Sequence, residues 1–162
     1  MQGGVPAEKK KAMIEAVQNI PGVVAAGAIS RVPFTGGLRG VPVFPPGTTE
    51  FTLNNSVLAS YVFTMSPGYF EAADTRLVSG RDFSWHDSAT TPHVAIVNQT
   101  FARKMWGNTT AIGQRFFLRR EGVPIDFVEV VGVVEDGKCR TMQESSQPVA
   151  YSVVVAKPSR AT

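Results

Sequence analysis

The segment with the clearest chemical potential is Gly132-Val133-Val134-Glu135-Asp136-Gly137-Lys138-Cys139, which matches the phosphate-binding pattern G-x-x-x-x-G-K. In nucleotide-binding proteins a serine or threonine follows this lysine and ligates Mg²⁺, whereas here Cys139 takes that place. A phosphate site also needs a long helix whose first amides converge on the anion, and Pro148 follows too soon for one. The two acidic residues inside the segment would repel a phosphate. The pattern therefore predicts a strand that runs into a turn at Asp136-Gly137.

A second group of candidate residues could bind a metal ion, namely Asp82, His86, Asp87 and His93. Metal sites hold such ligands at regular spacings on rigid elements, with further groups orienting them. Residues 84–92 are polar and predict a surface loop instead, so we predict no metal site. For hydrolysis, the sequence has no G-x-S-x-G elbow, and Cys139 has no histidine near it in sequence. A triad assembled in space from His86 or His93 stays open.

Composition predicts a globular domain without a nucleic-acid-binding surface. The 162 residues are 43% hydrophobic and 18% charged, with a formal charge of +3, as is typical of folded proteins. Basic residues cluster only at Lys9-Lys10-Lys11 and Arg119-Arg120, which indicates solvated surface and not a basic stripe. The single Cys139 cannot form an internal disulfide. No apolar run approaches the ~18 residues of a membrane helix, and the first residues lack the apolar core of a signal peptide.

Helix and strand signals alternate along the chain and predict an α+β fold of mixed or antiparallel sheets with a few short helices. Residues 7–20 predict an amphipathic helix, which Pro21-Gly22 ends. Small and β-branched residues over 23–30 predict a buried strand against which this helix packs. The predicted apolar stripe of the helix consists of Met13, Val17 and Ile20, with Ala16 beside them. Further strands are predicted at residues 51–65, 94–97, 114–119, 125–134 and 149–156, with a hairpin turn at Glu121-Gly122.

Residues 66–114 predict a compact module of short elements. Ser66 is expected to cap a short helix through its side chain, and Gly80 is expected to turn the chain with a positive φ. Asn98 is expected to cap a second helix, which ends near Trp106 with Gly107 as its C-terminal stop.

Residues 31–50 contain eight prolines and glycines, a density that predicts a long loop without regular structure. Long loops often carry binding functions. Phe34, Leu38 and Phe44 could either anchor this loop to the core or form a contact patch for a partner. We take these three residues as the candidate partner-contact residues.

Six short motifs occur in a characteristic order, namely SPGYF (66–70), SGRDFS (79–84), VAIVNQTFARKMWG (94–107), AIGQRF (111–116), VEVVGVVEDGK (128–138) and QPVAYSVV (147–154). In this order they resemble the extracytoplasmic core domain of MacB-type, FtsX-like ABC transporter permeases, over about residues 13–155. The family usually has a glycine after the Tyr-Phe helix. This chain has Asp74 there, and aspartate tolerates the left-handed conformation better than most residues.

The resemblance implies a non-catalytic periplasmic domain, residues 1–162, that is a truncated fragment of a larger permease anchored in the bacterial inner membrane by flanking helices. Two sub-lobes are expected, residues 5–65 with 149–156, and residues 66–148. The implied role is to engage an adaptor or substrate and to transmit conformational change for export. The implied partners are the rest of the permease, an ATPase module and a periplasmic adaptor protein. No cofactor is implied, and the oligomeric state stays open.

A free-standing soluble α+β ligand-binding protein or small enzyme is the alternative. Its support is the mildly basic charge and the long loop rich in proline and glycine. Such a protein should contain a pocket with convergent polar groups and a titratable residue whose pKa is displaced.

Overall fold

In the computed structural model, residues 6–30, 39–89, 93–119, 124–137 and 145–153 are described. They form a mixed sheet with short helices, which confirms the α+β class. Two short 3₁₀ helices cover Leu53–Asn55 and Trp85–Ala89. The α-helices are α1 (Ala7–Gln18), α2 (Tyr69–Ala72) and α3 (Gln99–Trp106). The strands are β1 (Val41–Phe44), β2 (Leu58–Met65), β3 (Leu77–Gly80), β4 (His93–Asn98), β5 (Arg115–Leu118), β6 (Asp126–Val134) and β7 (Val149–Val153).

The described strands form one sheet in the order β3-β6-β4-β7-β2-β1-β5, and β5 also pairs with β6. The sheet therefore closes on itself through six strands, with β3 attached outside the ring. The first half of β6 pairs with β5, and its second half pairs with β3 on the same side. The pairs β2–β7 and β4–β6 are parallel, and the others are antiparallel. Strands from both predicted sub-lobes share this sheet, because β7 lies between β4 and β2.

The main core fills the space between the sheet and α3. Phe101 of α3 is fully buried and packs against Phe116 and Trp106, with ring centroids 5.0 and 5.8 Å away. The other buried members are aliphatic side chains from the strands, among them Val43, Ala95, Val97, Leu118, Val128, Val130, Val133 and Ala150. Ala102, Met105 and Trp106 of α3 are partly buried against the same core.

Asn98 caps α3 as predicted, since its side-chain oxygen accepts a hydrogen bond of 2.9 Å from the Phe101 amide. The same oxygen accepts from the Val149 amide at 3.0 Å, and the side-chain nitrogen donates to the Gln147 carbonyl at 2.7 Å. One buried amide thus joins the end of β4, the start of α3 and the start of β7. Gly107 ends the helix, as predicted, by donating from its amide to the Arg103 carbonyl.

Two predicted backbone conformations are confirmed in the turns around β3. Asp74 has φ of 54° and Gly80 has φ of 75°. A Cβ at Gly80 would overlap the Val131 carbonyl oxygen, and a Cβ at Gly132 would overlap the Arg81 carbonyl oxygen. The Gly80↔Gly132 pair therefore permits a close approach between β3 and β6 that larger residues would prevent.

The predicted capping role of Ser66 is wrong. The residue before α2 is Gly68, with φ of 85°, and no side chain caps the helix. The Ser66 hydroxyl accepts a hydrogen bond from the Ala28 amide, and the Ser66 amide donates to the Ala28 carbonyl, both at 2.8 Å. The Ser66 side chain therefore makes a long-range contact with Ala28 and does not make the helix cap that the local sequence predicts.

Three loop and strand boundaries also differ from prediction. Residues 31–50 are not irregular throughout, because β1 lies within them. Pro42 has no N–H group to donate, but this does not disrupt β1. The Pro42 carbonyl accepts from the Arg119 amide, just past the end of β5, so the missing N–H group faces a position outside the paired part of the two strands. Residues 51–57 precede β2 without strand structure, and a 3₁₀ helix replaces most of the loop predicted at 84–92.

Candidate interaction surface

The predicted partner-contact residues are only partly placed by the structure. Phe34 and Leu38 lie outside the described residues, so their role stays a prediction. Phe44 is 0% exposed in β1 and makes an edge-to-face contact with Phe51, with ring centroids 5.2 Å apart. Of the two roles considered for Phe44, the geometry matches the core anchor, because a fully buried ring cannot reach a partner.

The phosphate-like pattern is used to hold α3 in place. Gly132 lies inside β6, and the strand ends at Val134, as predicted. The Asp136 carboxylate accepts hydrogen bonds from the Thr100 amide and from the Thr100 hydroxyl, both at 2.8 Å. The positive end of α3 is thus neutralised by a carboxylate from the pattern itself. Lys138 and Cys139 lie outside the described residues.

Three of the four candidate metal ligands, Asp82, Asp87 and His93, are held by different neighbours, and the fourth, His86, is exposed in the 3₁₀ helix Trp85–Ala89. Asp87 accepts two hydrogen bonds of 2.9 Å from the Arg81 guanidinium, and this pairing lowers the pKa of Asp87. His93 places its Nδ1 atom 2.9 Å from an Asp126 carboxylate oxygen. Within the ranges that the structure describes, no three His, Cys, Asp or Glu side chains converge as they would around a metal ion.

Asp82 supports the turn after β3. Its carboxylate accepts a hydrogen bond of 2.7 Å from the Phe83 amide, while Arg81 donates to the Asp82 backbone carbonyl at 3.0 Å. Burial raises the pKa of Asp82, and the Phe83 amide offsets this effect only in part. Phe83 itself is buried. The titratable side chains of this turn thus have structural partners.

An apolar groove lies beside α1, and we call it the α1 groove. It has a volume of about 220 Å³ and is lined by Lys10, Met13, Ile14 and Val17 of α1 and by residues 26–28. The predicted stripe of α1 is wrong in its orientation, because Ile14 is the residue that is buried, at 8% exposure, whereas Met13 is 62% exposed. Val17 and Ile20 are also exposed, so the helix presents most of its apolar side chains to solvent.

Residues 26–28 form the other wall of the groove, and the buried strand predicted over residues 23–30 is wrong. Residues 23–28 belong to no strand, and the nearest pairing is one isolated antiparallel bridge between Ile29 and Met65. Val24 is 95% exposed. The segment is held at its far end, where Ala28 pairs with Ser66 and where Gly27 passes so close to α2 that a Cβ would lie 2.5 Å from the Tyr69 Cα.

The α1 groove and residues 23–28 together offer apolar contact and main-chain hydrogen bonding, and not bond chemistry. Sequence analysis missed this surface because it assigned residues 23–30 to cover the stripe of α1. The predicted stripe of Met13, Val17 and Ile20 was the available signal, because large apolar residues along one side of a helix often mark a contact surface.

None of the described helices combines the length and the apolar character that a membrane-spanning helix requires.

Comparisons with known proteins point to one family. The sequence family of MacB-like periplasmic core domains matches residues 3–158. The macrolide export ATP-binding/permease protein MacB of Pasteurella multocida (strain Pm70) is 36% identical over 83 residues, which are 51% of this chain and 12% of that protein.

Solved structures share the fold. The periplasmic region of MacB from Actinobacillus actinomycetemcomitans gives a TM-score of 0.54 at 14% identity over 89% of this chain and 54% of that one. The extracellular domain of the noncanonic ABC-type transporter YknZ from Gram-positive bacteria gives a TM-score of 0.51 at 18% identity, over 92% of this chain and 62% of that one. A domain of a putative permease from Porphyromonas gingivalis gives a TM-score of 0.53 at 16% identity, over 90% of this chain and 58% of that one. The chain thus spans less than two thirds of each of these structures and a small part of the curated relative.

The family match covers nearly the whole chain, and the six motifs named above lie within it. This chain therefore belongs to the family of MacB-like periplasmic core domains of ABC transporter permeases, on the extracytoplasmic side of the inner membrane.

Proposed function

We propose that this chain is a non-catalytic part of an export permease that engages an adaptor or substrate and transmits conformational change between that partner and the membrane helices. The observation that carries the proposal is the family match over residues 3–158. The non-catalytic role is also supported by two carboxylates that the sequence offered as candidate site residues, because Asp87 and Asp136 accept structural hydrogen bonds. Coupling would then occur by displacement of the domain, while a separate module hydrolyses ATP.

We also propose that residues 1–162 are one part of a longer permease. The lengths of the solved relatives support this, since the chain spans 54% and 62% of two of them. The first test is the hydropathy of the gene on either side of the segment. Apolar stretches of about 20 residues should flank it. A reading frame that encodes these residues alone would refute the permease assignment.

The functional test uses the intact permease together with its ATPase module. Deletion of residues 33–38, which include Phe34 and Leu38, should weaken binding of the adaptor and reduce export while the domain stays folded and the basal ATPase rate is retained. A matched control deletes residues 120–123 from the predicted hairpin turn. Unchanged adaptor affinity after the first deletion would refute the contact role of Phe34 and Leu38. A loss of basal ATP hydrolysis in a correctly folded variant would refute the expectation that residues 33–38 act on adaptor binding alone.

A ligand-binding protein or enzyme is less well supported. The described side chains with a displaced pKa are Arg81, Asp82 and Asp87, all in the turn after β3. They line neither the α1 groove nor a smaller cavity of about 140 Å³ beside Tyr61 and Gln147. Neither of these two pockets therefore combines convergent polar groups with a tuned titratable residue.

A further inference from the structure

Two carboxylates in the turn after β3 differ in their affinity for protons. The Arg81 guanidinium donates to both carboxylate oxygens of Asp87 at 2.9 Å, and this pairing lowers the pKa of Asp87. Towards Asp82 the same guanidinium donates to the backbone carbonyl, at 3.0 Å, so the carboxylate gains little from it, and the pKa of Asp82 is raised. As the pH falls, Asp82 therefore binds a proton while the pair of Arg81 and Asp87 is still intact.

The surroundings of Asp82 explain this affinity. Burial is the largest cause of the raised pKa. Asp82 is half-buried and precedes Phe83, which lies with Phe70 of α2 in one buried apolar cluster. The amides of Phe83 and Gly68 stabilise the charged carboxylate, but they do not outweigh burial, and Glu71 of α2 adds repulsion.

Asp82 lies where three segments of the chain meet. Gly68, whose amide stabilises the carboxylate, is the residue before α2. A Cβ on Gly68 would lie 3.3 Å from the Ala26 carbonyl oxygen, and a Cβ on Gly27 would lie 2.5 Å from the Tyr69 Cα. Residues 26–28 therefore cross the start of α2 in direct contact. They bring no titratable side chain to the junction.

The other charged groups of the neighbouring elements have contacts of their own. These are Asp87 of the second 3₁₀ helix with Arg81, Lys11 of α1 with the Trp85 ring, and Glu135 beyond β6 with Arg76. The charge of α2 that acts on Asp82 is Glu71. A proton on Asp82 thus removes a repulsion between the turn after β3 and α2.

We propose that the contact between the turn after β3 and the start of α2 is an acid-sensitive joint, in which Asp82 binds one proton and the joint closes more tightly. A closed joint buries Asp82 near Glu71, whereas an open joint returns the carboxylate to water. The closed joint therefore binds the proton more tightly, and by linkage the proton favours the closed joint. The joint belongs to these 162 residues and does not depend on the proposed function.

The direction of the effect follows from the raised pKa of Asp82. The stabilising contribution of Asp82 is complete below the ordinary pKa of an aspartate and is lost as the pH rises through the raised pKa. Asp87 acts in the opposite direction, because its pKa is lowered. The family lies on the extracytoplasmic side of the membrane, so the joint meets the pH outside the cytoplasm.

A carbon-13 NMR titration of the carboxyl groups of the 162-residue chain tests the proton site. Asp82 should titrate at a higher pH than aspartate in an unstructured peptide, and loss of its signal in Asp82→Asn assigns it. Glu71→Gln should move the midpoint of Asp82 to lower pH, whereas Glu50→Gln, at an exposed position in the loop after β1, should not. A midpoint of Asp82 at or below that of the peptide, or one that Glu71→Gln leaves unchanged, would overturn the inference.

Hydrogen exchange of the same chain tests the joint itself. After correction for the intrinsic pH dependence of exchange, protection of the Ala28 and Ser66 amides should increase at least about twofold as the pH falls through the midpoint of Asp82. These amides hold the crossing at α2, each in a bond of 2.8 Å. The Val57 amide, which bonds to the Val43 carbonyl, is the internal control and should not change.

The variants separate the joint from general effects of acid. In Asp82→Asn the protection of Ala28 and Ser66 should not change with pH, because no proton can bind. In Glu71→Gln, which keeps Asp82, the change should occur at lower pH, and this variant decides the question if Asp82→Asn does not fold. Protection that is independent of pH in the unmodified chain, or an equal change in folded Asp82→Asn, would overturn the inference.

Discussion

Replacement of Gly80 by alanine should destabilise the domain through two separate causes. The first is its left-handed φ of 75°, which costs a residue with a Cβ about 1–2 kcal/mol. The second is steric, because the Cβ would overlap the Val131 carbonyl oxygen and lie 2.7 Å from the Ile112 Cδ1 atom. The Ile112 side chain can move, but the Val131 carbonyl accepts the Arg81 amide at 2.9 Å and belongs to β6.

The steric cause should add about 1–3 kcal/mol, as overpacking does in other well-packed sites. The total expected loss in the free energy of unfolding is therefore about 3 kcal/mol. Gly113→Ala is the matched control, because Gly113 has φ of 84° and nothing within 4 Å of a Cβ at that position. It should lose only the backbone contribution of about 1–2 kcal/mol.

The assay is urea unfolding of the purified chain and both variants, followed by circular dichroism, with the slope m compared as well as the midpoint. Gly80→Ala should unfold at a clearly lower urea concentration than Gly113→Ala. Equal losses for the two variants would refute the steric reasoning. A Gly80→Ala variant as stable as the unmodified chain would refute the close approach of β3 and β6.

Four further substitutions test the structural roles of polar side chains. Asp87→Asn should cost about 1–2 kcal/mol by weakening the paired bonds to Arg81, which is half exposed. Because the folded-state pKa of Asp87 is lowered, its contribution is present above the unfolded pKa and disappears as pH falls through the folded one. Unfolding of the variant should therefore depend less steeply on pH in acid, and an unchanged slope would contradict the pairing. Asp136→Ala should cost about 1–2 kcal/mol, because it removes both hydrogen bonds at the start of α3. Thr100→Val should cost less, because it keeps the bond from the Thr100 amide to Asp136. Equal decreases in melting temperature for the two variants would argue against the capping role of Asp136. Asn98→Ala should cost about 3 kcal/mol, because two buried amides and one carbonyl lose their partner, and a loss below 1 kcal/mol in chemical denaturation would show that water replaces it.

The features that sequence predicted correctly are those that depend on a residue and its immediate neighbours. Asn98 caps the helix that begins at the next residue, and Gly107 ends the same helix. Gly80 and Asp74 take positive φ because their own side chains, or the lack of one, permit it. Each of these choices is stabilised within one or two turns of chain, so a local pattern is sufficient to predict it.

The features that sequence mispredicted depend on contacts far along the chain. Ser66 is a good local cap, but its hydroxyl binds the Ala28 amide, 38 residues away. Pro42 is typical of a loop, but β2 and β5 on either side of β1 hold it in a strand. Sequence analysis missed the surface beside α1 for a different reason. Sequence predicts that residues 23–30 are strand-forming and that α1 is amphipathic, but neither signal tells whether the two segments pack against each other.

The distribution of satisfied and unsatisfied groups indicates where functional variants of this domain should lie. The charged side chains that suggested catalysis or metal binding have partners within the domain, as Asp136 has in Thr100 and Asp87 has in Arg81. The described surface also carries exposed apolar side chains, among them Met13 and Val17 of α1 and Ile20 just beyond its end. Substitution of a satisfied charged residue changes stability first and function only through it. Substitution on the exposed face of α1, such as Val17→Asp, leaves the internal hydrogen bonds of the domain intact while it removes exposed apolar surface at the α1 groove. If the proposed function is correct, Val17→Asp should reduce export at unchanged stability of the isolated chain, because Val17 is 44% exposed. Asp87 and Asp136 variants should lose stability first, because both carboxylates hold internal hydrogen bonds.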